Sequence, residues 1–211
     1  MATKKSQRIA IWVIAVALTV GTLGSFLVMA LAGQNEQRDQ ARLQEAYQEY
    51  QSKVQAQSDE LSKKYYPVLH KFEDLPAKFD AKSVKKLAIK DLKAGSGDKI
   101  SEGDSFAAYY IGWTPSGEVF ESSIEGDKLG TPFNVTQGSG VIEGWVKGLD
   151  GIKTGGVRLL TIPSDQAYGD QASDKIPANS PLKFVIMAVP QPKEIPIPEI
   201  LLEQQAGQQP Y

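Results

Sequence analysis

Phe106-Ala107-Ala108-Tyr109-Tyr110-Ile111-Gly112-Trp113 is the stretch from which the fold is read. Aromatic and β-branched residues crowd it, as they do in strands. Three apolar runs accompany it: Leu87–Leu92, Gly156–Ile162 and Leu182–Val189. Gly95-Ser96-Gly97, Pro115-Ser116-Gly117 and Gly138-Ser139-Gly140 stand between the runs as turns. Of the 19 glycines, 15 lie from Gly95 to Gly169, so turns are concentrated in this part of the chain. The pattern predicts a compact antiparallel β domain of about 105 residues, enough to bury its own core. One helical candidate lies inside it, Trp145–Ile152, no longer than about two turns.

Towards the N-terminus the texture changes twice. Gln34 to Tyr66 holds no Gly and no Pro and is rich in good helix formers. Glu49/Lys53, Asp59/Lys63 and Glu60/Lys64 are spaced i,i+4 in the favourable order. Leu43, Tyr47, Tyr50, Val54 and Leu61 approach a heptad seam, with Gln57 in the skipped position. A solvated helical stalk over 33–66 and a coiled-coil dimer seam both fit. Pro67 is expected to end or interrupt the helix. Residues 67–82 read as a linker, in which His70 is a surface residue rather than a ligand.

Ahead of the stalk, Ile9–Ala32 is uncharged and long enough to cross a membrane. Lys4, Lys5 and Arg8 precede it, which places residues 1–8 in the cytoplasm and the rest outside. Ala30-Leu31-Ala32 also has the small-x-small form of a signal-peptide cleavage site. Signal-peptide apolar regions run only about 7–15 residues, which favours an uncleaved anchor over 9–32. Beyond residue 190 a Pro/Gln-rich tail, 191–211, reads as extended, with one turn at Glu199–Gln204.

Composition excludes several chemistries. The 23 Lys and Arg nearly balance 25 Asp and Glu, so charge makes no case for nucleic acid. No Cys and a single His exclude disulfides, thiolate metal sites, cysteine nucleophiles and multi-His metal sites. No Gly-x-Ser-x-Gly elbow, Walker loop or dinucleotide fingerprint is present. What remains is a set of aromatic and aliphatic residues placed among glycines.

Their order is distinctive. Tyr110-Ile111-Gly112 is followed by Gly117-Glu118-Val119-Phe120-Glu121-Ser122-Ser123 and Pro132-Phe133. Val141-Ile142-Glu143-Gly144-Trp145-Val146-Lys147-Gly148-Leu149 comes next, then Gly155-Gly156-Val157-Arg158-Leu159-Leu160-Thr161-Ile162-Pro163. Ala167-Tyr168-Gly169, Ile176-Pro177-Ala178-Asn179 and Leu182-Lys183-Phe184 complete the series. Over residues 83–190 this resembles the FKBP-type peptidyl-prolyl cis-trans isomerases, the macrolide-binding immunophilins, here as a membrane-anchored, bacterial-like member.

The resemblance implies an α+β fold: a twisted antiparallel sheet of about five strands wrapped around one short helix. It implies that Trp145 begins that helix and floors an apolar pocket. Tyr110, Phe120, Glu121, Tyr168 and Phe184 would be the catalytic set. Phe133, Val141, Ile142, Trp145 and Ile176 would complete the substrate-binding walls. The N–H of Ile142 and the hydroxyl of Tyr168 would donate to a bound peptide. Neither cofactor nor metal is implied. The implied ligands are proline-containing polypeptides and macrolides of the FK506/rapamycin type.

Such a pocket has a physical route to catalysis. Amide resonance sets a rotation barrier near 18–20 kcal/mol. At an X-Pro bond the two isomers are close in energy, so the barrier is the obstacle. The twisted transition state loses conjugation and charge separation, so a dry aromatic pocket favours it over the planar amide. Three features depart from the family pattern. Glu121 stands where Asp is usual, the loop Asp170-Gln171-Ala172-Ser173-Asp174-Lys175 is polar, and the Ser122–Gly130 connection, with Glu125, Asp127 and Lys128, is also polar. The expected function is therefore prolyl isomerisation that assists exported or surface proteins to fold. The alternative is a proline-peptide-binding chaperone or scaffold without turnover.

Overall fold

The computed structural model describes residues 38–206. The expected membrane span, 9–32, lies outside the described residues. Among those described, no helix is long and apolar enough to cross a membrane. The chain divides into two compact units. In the smaller, the described residues are 38–52 and 196–206. The larger, Lys53–Ile195, contains the sheet and the site.

Helix α1 covers 38–69. The strands are β1 (Ala88–Lys93), β2 (Ser105–Trp113), β3 (Val119–Ser122), β4 (Ile124–Glu125), β5 (Lys128–Leu129), β6 (Phe133–Thr136), β7 (Val157–Ile162) and β8 (Leu182–Pro190). Helix α2 is Glu143–Leu149 and α3 is Glu199–Ala206. Six strands form one sheet in the order β1-β7-β8-β2-β3, with β6 also paired to β2. Strands β4 and β5 form a separate hairpin. The expected count of about five strands is therefore corrected. The chain between β3 and β6 holds a hairpin, and β2 takes β6 on its first half and β3 on its second.

Strand β2 is buried along nearly its whole length, and its two side-chain phases serve different cores. Phe106 and Ala108 join Leu160, Ile162, Leu182, Phe184, Ile186 and Ala188 on the face that receives Trp145 and Leu149 of α2. Ala107, Tyr109, Ile111 and Trp113 join Val157, Val185, Met187 and Val189 on the opposite face. A strand covered on both faces reads as a continuous apolar run rather than an alternating one. That is the texture of Phe106–Trp113.

The second face is covered by α1. Tyr65 and Leu69 are buried there, and Leu61, Tyr66 and Val68 pack around them. The last two turns of the expected solvated stalk are thus part of the core. Leu61, at the end of the heptad seam, is spent on the sheet rather than on a partner helix. The expected stop at Pro67 is also corrected: the helix runs to 69 and continues as a 3-10 turn, His70–Phe72. Proline removes one helical hydrogen bond, and here complete burial of Leu69 holds the final turn in place. Residues 67–82 are not free chain. Phe72 and Phe79 pack on the same core, and the Phe79 N–H donates to the Pro115 carbonyl at 3.1 Å.

The short helix lies two to three residues earlier than the expected Trp145–Ile152. It begins after Ile142, whose extended backbone ends the preceding loop, and it gives way at Asp150 to Gly151 with φ 72°. Gly144 and Gly148 form its sheet-facing side. A Cβ at either position would collide with Ile162 or Leu160 of β7. This close approach sets the depth at which Trp145 sits. In the tail, the expected turn at Glu199–Gln204 is instead the longer α3. It starts directly after Pro198, whose carbonyl accepts from the Leu201 N–H at 2.9 Å, and no further proline occurs before Pro210.

Candidate active site

The site is an open cavity of about 550 Å³ between α2 and the sheet face it covers. Tyr110, Glu121, Phe133, Gly140, Val141, Ile142, Trp145, Tyr168 and Phe184 line it. Each arrives from a different part of the topology. Tyr110 is on β2, Glu121 on β3, Phe133 on β6, and Phe184 on β8. Val141 and Ile142 lead into α2, which carries Trp145, and Tyr168 follows the 3-10 turn Ser164–Gln166.

The base is aromatic and rigid. Trp145 and Phe184 are 4% and 3% exposed. Their rings meet edge to face, with centroids 5.4 Å apart and an interplanar angle of 90°. Tyr110 stands on Trp145 at 5.1 Å and 82°, and Phe120 on Phe184 at 5.5 Å and 86°. Such pairs contribute about 0.5–1.5 kcal/mol each beyond the area they bury. Phe133 and Tyr168, 43% and 44% exposed, form the rim. A ligand therefore meets half-exposed aromatic side chains first and a buried aromatic floor below.

Of the sequence-expected residues, Phe120 and Ile176 do not line this cavity. They line an adjoining recess of about 410 Å³ with Glu121, Tyr168, Ser173, Asp174 and Lys175. Glu121 and Tyr168 are shared by both. Ile176 is brought there by a loop closed at its neck. Gly169 and Asn179 both take positive φ, 62° and 58°, and the Asn179 N–H donates to the Gly169 carbonyl at 2.7 Å. Inside the loop the Ser173 N–H donates to the Ile176 carbonyl at 2.9 Å. Lys175 crosses to the β3 backbone, donating to the Phe120 carbonyl at 3.3 Å. The polar loop is therefore tied to the wall by its own polar groups.

Ile142 and Tyr168, which carry the two expected donors, both line the cavity. The Ile142 carbonyl accepts the first helical N–H groups, from Trp145 at 2.9 Å and Val146 at 3.3 Å, and among the described residues no backbone carbonyl accepts from its own N–H. Tyr168 presents its hydroxyl. Burial, and next the nearby negative charge of Glu121, raise its pKa above the ordinary tyrosine value. Tyr110 is raised further, by burial first and then by its hydrogen bond to Glu121. Both phenols stay protonated at neutral pH, so the Tyr168 hydroxyl remains a donor. Glu121 thus lies close enough to both phenols to raise their pKa values.

Sequence reasoning missed Gly140 as a lining residue. It also missed the hairpin β4–β5, whose Leu129 is 1% exposed in the core on the far face. The only sequence signal for the hairpin was a pair of apolar residues, Ile124 and Leu129, in the otherwise polar stretch Ser122–Gly130.

Comparison with known proteins covers this part of the chain. The family described as FKBP-type peptidyl-prolyl cis-trans isomerase matches residues 97–189. "FK506-binding protein 4" of Chaetomium thermophilum is 45% identical over 106 residues, 50% of this chain and 21% of that protein. The chain thus spans about a fifth of the length of this fungal relative. "FK506-binding protein" of Neisseria meningitidis serogroup A is 39% identical over 102 residues, 47% of this chain and 91% of the relative. The crystal structure of AtFKBP13 is 33% identical, covering 50% of this chain and 92% of that one, with a TM-score of 0.43. Strand β1 and helix α1 lie outside the matched family segment. With 91% of the Neisseria relative covered and residues 97–189 matching the family model, the chain belongs to the FKBP-type peptidyl-prolyl cis-trans isomerase family.

Proposed function

We propose that this chain catalyses cis-trans isomerisation of X-Pro bonds in polypeptides. The observation that carries the reading is the aromatic cavity with Trp145 and Phe184 at its base and the Tyr168 hydroxyl at its rim. Apolar walls receive the proline ring. They exclude water from the amide and so disfavour the planar, charge-separated form relative to the twisted one. The Ile142 N–H and Tyr168 hydroxyl hold the peptide's carbonyls. Tyr110, Phe120, Glu121 and Phe184 shape the reacting region, and Phe133, Val141 and Ile176 its approach. Macrolides of the FK506/rapamycin type are the expected competitive ligands.

The test is acceleration of prolyl isomerisation in a short peptide, with and without such a macrolide. Acceleration abolished by the macrolide places the activity in the cavity. Tight peptide binding without acceleration would leave a binding module. Tyr168→Phe is expected to lower kcat/KM by about 2- to 10-fold, the value of one hydrogen bond of about 0.5–1.5 kcal/mol. The wild-type rate is expected to be flat between about pH 7 and 9, because both phenols titrate above the ordinary tyrosine value of about 10. A loss of rate centred below about pH 9 that is absent from Tyr168→Phe would remove the neutral-donor role.

The same reading places the enzyme at a membrane, spanning it with residues 9–32 and acting outside on exported or surface proteins. The support is the uncharged stretch Ile9–Ala32 preceded by Lys4, Lys5 and Arg8. The protein is expected to stay with membranes through an alkaline carbonate wash. Release into the wash, or mature protein beginning at Gly33, would overturn this.

A further inference from the structure

Beside the cavity lies a recess of about 290 Å³ that shares Tyr110, Glu121 and Phe133 with it and is also lined by Glu125 of the β4–β5 hairpin. The hairpin has two residues in each strand. A hairpin this short does not hold its own position. On the cavity side its base is clasped to β2. The Ser123 N–H donates to the Tyr110 carbonyl at 2.8 Å, and the Tyr110 N–H donates to Ser123 Oγ at 2.9 Å. The Gly130 N–H donates across the base to the Ser123 carbonyl at 3.0 Å.

The hairpin's other anchor is on the far face of the sheet. Leu129 is buried beside Tyr65 and Leu69, and Ile124 packs against the same cluster. The Leu129 N–H donates to Ser62 Oγ of α1 at 2.8 Å. Ser62 is itself only 6% exposed. A buried serine has no packing advantage in a helix interior and competes with helical hydrogen bonding. Its hydroxyl is explained by the Leu129 N–H, which would otherwise be a buried donor without an acceptor.

We propose that Ser62 is a positioning residue for the active site. Through Leu129, α1 holds the hairpin at the height that sets Phe133, four residues downstream, against Tyr110 of β2. Those two rings lie 6.2 Å apart at 79° and form one corner of the cavity. A helix on one face of the sheet thus fixes a binding wall on the other, and does so with residues that the family match, 97–189, does not include. The inference rests on the binding reading above.

The test compares full-length wild type, Ser62→Ala and Ser62→Thr by amide hydrogen exchange, macrolide titration and isomerase kinetics. Ser62→Ala is expected to speed exchange at Leu129 by at least about tenfold, from loss of the buried acceptor. Exchange at Val185, in the middle of the sheet, is expected to stay unchanged. Macrolide Kd and peptide KM are expected to rise about three- to tenfold with kcat within about twofold, since a loosened wall lowers the binding-competent fraction. Ser62→Thr, which keeps the hydroxyl, is expected to restore all three.

Joint loss of protection at Leu129 and Val185 would reduce Ser62 to a general stability residue and overturn the proposal. So would a loosened Leu129 with unchanged Kd and KM. If wild type neither binds macrolide nor accelerates isomerisation, the functional reading falls. The hold of Ser62 on the hairpin is then decided by the Leu129 exchange alone.

Discussion

Leu69→Ala is expected to lower the free energy of unfolding by about 2–5 kcal/mol, the range for emptying a large buried aliphatic site. Leu69 is completely buried, on the face of the sheet that also holds Tyr109, Val185 and Met187. It lies outside the family match and two residues after a proline, in a stretch that reads as the junction of stalk and linker. On a solvated linker the same substitution would shift stability by no more than about 0.5 kcal/mol. Denaturant unfolding of the two proteins separates these outcomes. A change under about 1 kcal/mol would show that α1 does not cover the sheet in solution. The physical basis is area: one face of a six-stranded sheet carries Ala107, Tyr109, Ile111, Trp113, Val157 and Met187, and that much apolar surface requires a cover.

Gly112→Ala is expected to lower kcat/KM by about 10- to 100-fold, and stability by about 1–3 kcal/mol, as overpacking does. A Cβ at 112 would lie 2.6 Å from Phe120 Cζ and 2.7 Å from Phe184 Cε1. Backbone movement offers little relief. Gly112 is paired with Phe184 on β8 and with Glu121 on β3, so β2 is held from both sides at this position. The rings must move instead, and they are the edge-to-face pair beside the cavity. Backbone conformation is not the obstacle, because Gly112 does not take a positive φ. Macrolide affinity is expected to fall in parallel with kcat/KM. Unaltered kinetics in a folded Gly112→Ala protein would separate Phe120 and Phe184 from catalysis.

Much of the β domain was legible because its strands are short apolar runs bounded by glycine and proline. Phe106–Trp113 emerges as Ser105–Trp113, Gly156–Ile162 as Val157–Ile162, and Leu182–Val189 as Leu182–Pro190. The cavity's residues were legible through order rather than composition. Tyr110, Phe133, Val141, Ile142, Trp145, Tyr168 and Phe184 come together from five separate segments of sequence. What stayed hidden was of three kinds. The role of α1 was hidden because its buried face mixes Tyr65, Ser62 and Leu69 with polar neighbours, and at low hydrophobic contrast a packed helix resembles a solvated one. The start of α2 was hidden because its sheet-facing glycines, Gly144 and Gly148, are poor helix formers chosen for close approach to β7. The hairpin was hidden because its strands are too short to show a period.

By itself, then, the sequence determined four of the strand segments, β1, β2, β7 and β8, the family and the residues that could form a pocket. Those follow from local propensity and from the order of side chains along the chain. Only the tertiary structure decided that the sheet is covered on both faces and that Phe120 and Ile176 belong to an adjoining recess. It alone brought Ser62 to the amide of Leu129, 67 residues away. These are long-range contacts, set by which surfaces remain to be buried once the strands have paired. Nothing in the local sequence of either partner encodes the other.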